Sequence, residues 1–369
     1  MSSRKAARKD GVDGGGEDRS RPELRSPSRF RVAGMLAVAA ALLALVATAT
    51  VLFRPQGRPV KTLELTCDNV ATAACVPGDG WGDIQLCDSP WNEGPPGSGA
   101  KMTARYYGWL PSFIRAIPHN PGRPFVIDVG ANVGIFSVAS AVVGLRVVAF
   151  EPVPHNHEGI NRMVCANAVE ARPRIAVVPA AIGAATVPGG TTIFVPYRAD
   201  NAAMTGQAAT ANLGHGSAAP TAVTVPLIAV DDWLRSGRGA DGEPFLPSDL
   251  VWFKADVQGY ESFVLQGAEA TLKAATHPAF RITVEEDAGL YAKIPGAVAP
   301  SSMLEAWGFV TATRTPEGPE GDMIWVNPKY YRGGDIPSAV PGDKRPAKWW
   351  EAGGALLPSA PVVGGAAAP

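Results

Sequence analysis

The chain has 369 residues, 46% of them hydrophobic and 18% charged, with a formal net charge of −1. That length admits one large α/β domain with appendages or two modest domains, and the near-neutral charge gives no reason to expect nucleic acid, because a phosphate-backbone binder concentrates Lys and Arg on one face or stripe. The 41 Gly and 34 Pro gather with Ala runs at the two ends and in one internal segment, so those stretches read as tail, stem and loop rather than core.

In chain order, residues 1–31 mix Arg, Lys, Ser, Gly and acids without apolar periodicity and are expected to form a disordered basic tail. Val32–Phe53 carries no charge and is built of Ala, Leu and Val. As a helix it would span roughly 33 Å at 1.5 Å per residue, the thickness of a bilayer core. It starts too late and runs too long for a cleaved signal peptide, and the flanking Arg29, Arg31 and Arg54 speak against a buried core helix. A transmembrane helix is therefore predicted. Lys and Arg are denser before it than after, which places the N-terminus in the cytosol and the bulk of the chain in a lumen, with Golgi or endoplasmic reticulum expected ahead of the plasma membrane. Residues 54–104 read as a stem carrying Cys67, Cys75 and Cys87 among Pro, Gly and Asp. In an oxidising lumen two of these thiols can close a short loop, with the pairing left open and one thiol over. A zinc site there would lack both a Cys-x-x-Cys pair and a following His pair. Cys165 falls in a helical run beside Ile160, Met163 and Val164 and reads as a buried, inert thiol.

Residues 105–332 form the predicted domain, where apolar strands alternate with amphipathic helices as in a parallel sheet covered on both faces. Phe125–Val129, Arg146–Glu151, Ile175–Ala180, Val251–Asp256 and Arg281–Glu285 read as strands; Gly134–Val143, Asn156–Ala168 and Tyr260–Ala274 read as helices. Arg198–Ala222 lacks period and reads as a long loop, and residues 333–369 as a Pro/Ala/Gly tail.

The chemistry concentrates where the first strand ends. Val126-Ile-Asp-Val-Gly-Ala-Asn-Val-Gly134 is a strand, a glycine-punctuated turn and a helix start. Gly130 and Gly134 permit positive φ and close backbone approach, so a nucleotide-like cofactor can sit against main-chain N–H groups. Asn132 stands where the dinucleotide pattern needs its second glycine, which argues against NAD. Glu151 ends the next strand, where a carboxylate can accept from two ribose hydroxyls. Asp128, two residues before the first glycine, can face a ligand ammonium, which adenosylmethionine has and NAD lacks.

Beyond these residues, Ile127–Gly134, Phe150-Glu-Pro-Val-Pro154, Ala181-Ile-Gly183, Val225–Leu234 and Phe253–Glu261 with Val264-Leu-Gln-Gly-Ala268 resemble, in that order, the FkbM methyltransferases over roughly residues 105–328. The resemblance implies a Rossmann-like seven-stranded methyltransferase sheet and S-adenosylmethionine as cofactor, held by Asp128, Gly130, Asn132, Gly134 and Glu151 with Pro152, Ala181 and Ile182. It also implies O-methylation, and a single-span lumenal enzyme most often meets glycans. The family often has Glu-Gly where this chain has Gln258-Gly259, which puts a role for that lost acid in doubt.

On the acceptor side, Lys254 and Asp256 share a strand face by the two-residue period, at the edge where ligands bind in open parallel sheets. Methyl transfer to a hydroxyl needs positioning and a base. Asp256 is the first choice for that base and Glu261 the second, with Lys254 as a pairing partner and Glu285 as a contact for an acceptor hydroxyl. The bland alternatives are helix-start roles for Asp256 and Glu261. His155 and His157 read as a solvated loop rather than metal ligands, for want of a third ligand. Asp231-Asp232 reads as the cap of a short helix, not as a glycosyltransferase Asp-x-Asp. The competing expectations are a membrane-anchored glycosyltransferase and a catalytically silent binding module on the same fold.

Overall fold

The computed structural model describes residues 60–332 apart from 69, 71–74, 78–80, 83, 89–94, 102–106, 108–109, 111–113, 115–116, 118–122, 168, 196–220, 287–290, 292–293 and 315–322. The basic tail, the apolar run Val32–Phe53, the C-terminal tail and most of Arg198–Ala222 lie outside these residues. Among the described residues no helix is long and apolar enough to cross a membrane.

A short hairpin, β1 (Cys75–Pro77) with β2 (Gln85–Cys87), precedes the main sheet. The sheet then builds from β3 (Phe125–Val129), helix α1 (Ile135–Val142), β4 (Arg146–Phe150), α2 (Pro154–Ala166) and β5 (Ile175–Val178). After an excursion through β6 (Ala181–Ile182), β7 (Val187–Val195), β8 (Thr221–Ile228) and α3 (Val230–Ser236), the chain returns with β9 (Leu250–Ala255). Helices α4 (Glu261–Gly267) and α5 (Glu269–Ala274), strand β10 (Arg281–Val284), α6 (Pro300–Ala306), β11 (Val310–Arg314) and β12 (Met323–Val326) follow.

Seven strands lie in the order β11-β12-β10-β9-β3-β4-β5. The pairs among β10, β9, β3, β4 and β5 are parallel, and β12 runs antiparallel to both of its neighbours. The five expected strands are present, with ends within two residues of their expected positions, because a parallel strand covered on both faces must be apolar at nearly every position. The residues of β3 show how the two faces are served. Val126 packs into one core with Val147, Ala149 and Trp252, while Phe125, Ile127 and Val129 pack into the other with Val148, Phe150 and Phe253. That alternation is the two-residue period of a strand, and each fully buried Val, Ile or Phe contributes about 1.5–3 kcal/mol. Chain order reverses at β3: β4 and β5 extend one way, β9 and β10 the other. The crevice at this switch point, outside the carboxyl ends of β3 and β9, is where an open α/β sheet binds ligands.

Four expectations change. The supposed stem is part of the folded unit: Trp81, Ile84 and Leu86 are buried in the same core as α1 and α2, and the Leu63 N–H donates to the Val177 carbonyl at 2.8 Å. Cys165 is not a free thiol; it is bonded to Cys67, and Cys75 is bonded to Cys87. The second of these is the short-loop closure that the spacing allowed, and the first ties α2 to a residue 98 positions earlier, which no spacing could reveal. The helix over Tyr260–Ala274 breaks at Ala268 into α4 and α5. A Cβ on Gly267 would lie 2.0 Å from the Gly183 carbonyl oxygen, so the helix end packs backbone to backbone against the end of β6. Asp231 caps, but not its own helix: its carboxylate accepts from the Ala270 and Thr271 N–H groups, both at 2.9 Å, at the start of α5. The strands on either side of the expected loop Arg198–Ala222, β7 and β8, pair antiparallel and with β6 form a separate three-stranded sheet, and β8 takes in the last two residues of that loop, Thr221 and Ala222.

Candidate active site

The turn after β3 fits against β9 with no room for a side chain. A Cβ on Gly130 would stand 1.9 Å from the Asp256 carbonyl oxygen, and its φ of +76° is one that L side chains rarely adopt. The N–H groups of Gly130 and Ala131 both donate to the Phe150 carbonyl, at 3.0 and 3.1 Å, which pins the turn to the end of β4. Asn132 sits at φ +51°, a conformation that Asn tolerates better than most residues. Gly134, at φ +87°, starts α1.

Glu151 is the hub of this turn. It is buried, and its Oε2 accepts from the Asn132 N–H at 2.8 Å. Its Oε1 accepts from the Val153 N–H at 2.8 Å and from the Asn156 side-chain amide at 3.1 Å. Burial pushes its pKa up to about 7, against the lowering effect of these donors. Pro152 follows, half-buried, in the bend that returns the Val153 N–H to the carboxylate. His155 and His157 are not in a loop but in the first turns of α2, where His157 Nε2 lies 2.7 Å from the Glu151 carbonyl oxygen. Burial lowers the His157 pKa.

Asp128 is placed differently from the expectation. It is fully buried, and its carboxylate accepts from the Ser137 hydroxyl at 2.7 Å and from Lys254 Nζ at 3.2 Å. It therefore meets a cation of the protein itself. Lys254 Nζ also donates to the Gly130 carbonyl at 3.2 Å and stands 3.8 Å from Asp256 Oδ2. One ammonium thus joins the glycine turn, the buried acid behind it and the half-buried acid in front. Ala181 and Ile182 form β6; Ile182 is buried in the core against α4 and α5, and Ala181 is half-buried beside Val153 and Val225. Their side chains pack, because β6 is recruited into the small sheet through Leu227 and Ile228.

On the acceptor side the candidates separate. The Asp256 side chain is 31% exposed, and its Oδ1 accepts from Gln258 Nε2 at 2.9 Å. The same Gln258 nitrogen donates to Glu285 Oε2 at 3.0 Å, so Glu285 joins the group. Glu261 does not. It is fully buried, and its Oε1 accepts from the Val257 and Gly259 N–H groups at 2.8 and 3.2 Å, which fastens the β9–α4 loop from inside. Its Oε2 has no hydrogen-bond partner, and burial pushes its pKa up to about 7. A role as base gives way to a structural one, because the carboxylate is shut away from the crevice. Among the described residues no group of three or more His, Cys, Asp or Glu is placed to hold a metal. Ser137, Asn156 and Gln258 were not among the expected site residues. The first two sit in helices on positions that turn toward the strand ends, a pattern the helical period could have flagged.

Glu151 and Glu261 fix the sign of a pH effect. Both carry a folded pKa near 7, above the ordinary value of 4.5, so between these values the folded chain holds protons that the unfolded chain has released. Their contribution to stability is greatest below pH 4.5, falls as pH rises and is lost above 7. Glu261→Gln keeps an acceptor oxygen for the loop and removes the titration. It is expected to flatten the fall in thermal stability between pH 4.5 and 7, and a slope equal to wild type would contradict the assignment.

Residues 128–297 match the model of the methyltransferase FkbM domain. Among solved structures, the chain is similar to a ribosomal protein L11 methylase from Lactobacillus delbrueckii subsp. bulgaricus, with 9% identity, 72% of this chain and 98% of that one covered, and a TM-score of 0.31. It is similar also to the C-terminal domain of precorrin-6Y C5,15-methyltransferase from Rhodobacter capsulatus, with 12% identity, 62% and 88% covered, and a TM-score of 0.26. No curated protein matches the chain.

Proposed function

We propose that this chain, whose residues 128–297 match the methyltransferase FkbM domain, moves a methyl group from S-adenosylmethionine to a hydroxyl oxygen of a glycan or glycoconjugate. The observation that carries the reading is the buried Glu151 carboxylate beside the side-chain-free turn at Gly130, at the switch point of the sheet. The residues present fit the cofactor there. A carboxylate offers about four acceptor positions; two are held by backbone N–H groups and one by the Asn156 side-chain amide, which leaves about one for a ribose hydroxyl. Gly130, Asn132 and Gly134 keep the turn low enough for a ligand to lie across it. Asp128 acts from behind, through Lys254, rather than by facing the ligand.

When bound, the cofactor supplies an electrophilic methyl on a sulfonium sulfur. The chain supplies the rest. Asp256 Oδ2 would accept the proton of the acceptor hydroxyl as that oxygen takes the methyl group. Lys254 holds that carboxylate at the crevice, and Glu285 stands beside it to orient the acceptor.

The uncharged run Val32–Phe53 supports anchoring by one N-terminal helix, with the N-terminus cytosolic. The two disulfides support an oxidising compartment for the domain, in keeping with a Golgi or endoplasmic reticulum lumen. The test is transfer of a labelled methyl group from S-adenosylmethionine to methyl glycosides of the common hexoses. A labelled methyl ether is the expected product. Cofactor binding without transfer to any sugar would favour a silent binding module instead.

A further inference from the structure

Gln258 is the residue of this loop that its neighbours do not explain. The loop from Asp256 to Glu261 is already secured: the Asp256 N–H donates to the Val129 carbonyl at 3.1 Å, and the N–H groups of Val257 and Gly259 are taken by Glu261. Yet Gln258 stands at φ +58°, and the other non-glycine residue with positive φ among those described is Asn132. Asn adopts this conformation readily and Gln does not, while glycine would do so without strain. Strain of this kind persists where the side chain has a use. Here the side chain spans two acids, its Nε2 donating to Asp256 Oδ1 at 2.9 Å and to Glu285 Oε2 at 3.0 Å.

We infer that Gln258 is the positioning residue of the acceptor site, tying Asp256 and Glu285 into one carboxylate pair that takes two neighbouring hydroxyls of the acceptor. The inference rests on the reading of Asp256 as the group that receives the acceptor proton. By engaging Oδ1, the amide leaves Asp256 Oδ2 turned to the Lys254 side of the crevice, 3.8 Å from Nζ, where a hydroxyl can donate to it. Two carboxylates held this close repel each other unless a donor lies between them, and the two N–H bonds of one amide satisfy both. Two carboxylates tied to one nitrogen lie close enough together to meet donors on adjacent atoms of one ligand. A vicinal diol has that form: one hydroxyl gives its proton to Asp256 and receives the methyl, and its neighbour is held by Glu285.

The test compares Gln258→Gly, Gln258→Glu, Glu285→Gln and Asp256→Asn in the full chain, with methyl glycosides bearing a vicinal diol and their mono-deoxy counterparts as acceptors. Gln258→Gly removes the strain with the side chain, so its thermal stability should equal or exceed wild type and its S-adenosylmethionine affinity should stay within twofold. Its turnover should nevertheless fall at least tenfold. Gln258→Glu keeps the length but adds a third negative charge, so the acidic limb of kcat/KM should move to higher pH. Glu285→Gln should raise KM for the diols more than it lowers kcat, and should narrow their advantage over the deoxy sugars. Wild-type turnover in Gln258→Gly overturns the inference while leaving the Asp256 reading intact if Asp256→Asn is inactive. Wild-type turnover in Asp256→Asn overturns both. Equal use of diol and deoxy sugars, or transfer to no diol in the panel, also overturns the inference.

Discussion

Asp256→Asn is expected to lower turnover by on the order of a hundredfold or more with little change in S-adenosylmethionine affinity. The substitution keeps the size of the side chain and one acceptor oxygen, and removes the negative charge that can take a proton. A helix-start role would forecast no loss, since Asn caps helices about as well as Asp. The geometry already speaks against that role. The N–H groups that lead into α4, those of Val257 and Gly259, are held by Glu261, while Asp256 faces Gln258 and Lys254. Turnover measured with a competent acceptor, beside a cofactor titration, separates the two accounts. Loss of cofactor binding together with activity would sink both and would move Asp256 into the cofactor site.

Gly130→Ala is expected to be the most damaging single methyl in the domain. The new Cβ would meet a backbone carbonyl, that of Asp256, at 1.9 Å, and backbone has no rotamer into which to retreat. Overpacking costs about 1–3 kcal/mol, and a left-handed backbone roughly 1–2 kcal/mol for a residue with a side chain, so a loss of about 2–5 kcal/mol is expected. The turn can relieve the clash only by lifting from β9, which also displaces the Asn132 N–H from Glu151. Denaturant unfolding should show the loss of stability, and binding of S-adenosylmethionine should fail even where the protein stays folded. Wild-type values for both would mean that the turn is looser than this packing.

The parts of the molecule that could be read from the residue order are those governed by burial. Strands β3, β4 and β9 are apolar on both faces, so their sequences contain almost no other signal. The glycine turn was legible because Gly130 and Gly134 punctuate an otherwise continuous pattern, and Glu151 because it follows a buried strand directly. What stayed hidden depends on partners far away in the chain. Cys165 looked inert because its partner lies 98 residues earlier, and Asp231 looked like a local cap although it serves a helix about 40 residues later. Asp128 looked ready for a ligand because nothing local announces Lys254, which arrives from the neighbouring strand β9. Glu261 illustrates the opposite error. Its place at the start of α4 invites a surface or catalytic role, whereas the turn at Gln258 and Gly259 folds the loop over its carboxylate and buries it.

The central claim is that the crevice between β3, β4 and β9 holds S-adenosylmethionine on Glu151. Calorimetric titration of S-adenosylmethionine into the wild-type chain and into Glu151→Ala tests it most directly. One saturable site is expected in the wild type. The variant should bind more weakly by roughly 1.5–3 kcal/mol, the contribution of hydrogen bonds to a charged group. Equal affinity in a folded variant would remove Glu151 from the site, and no binding by the wild type would contradict the account itself.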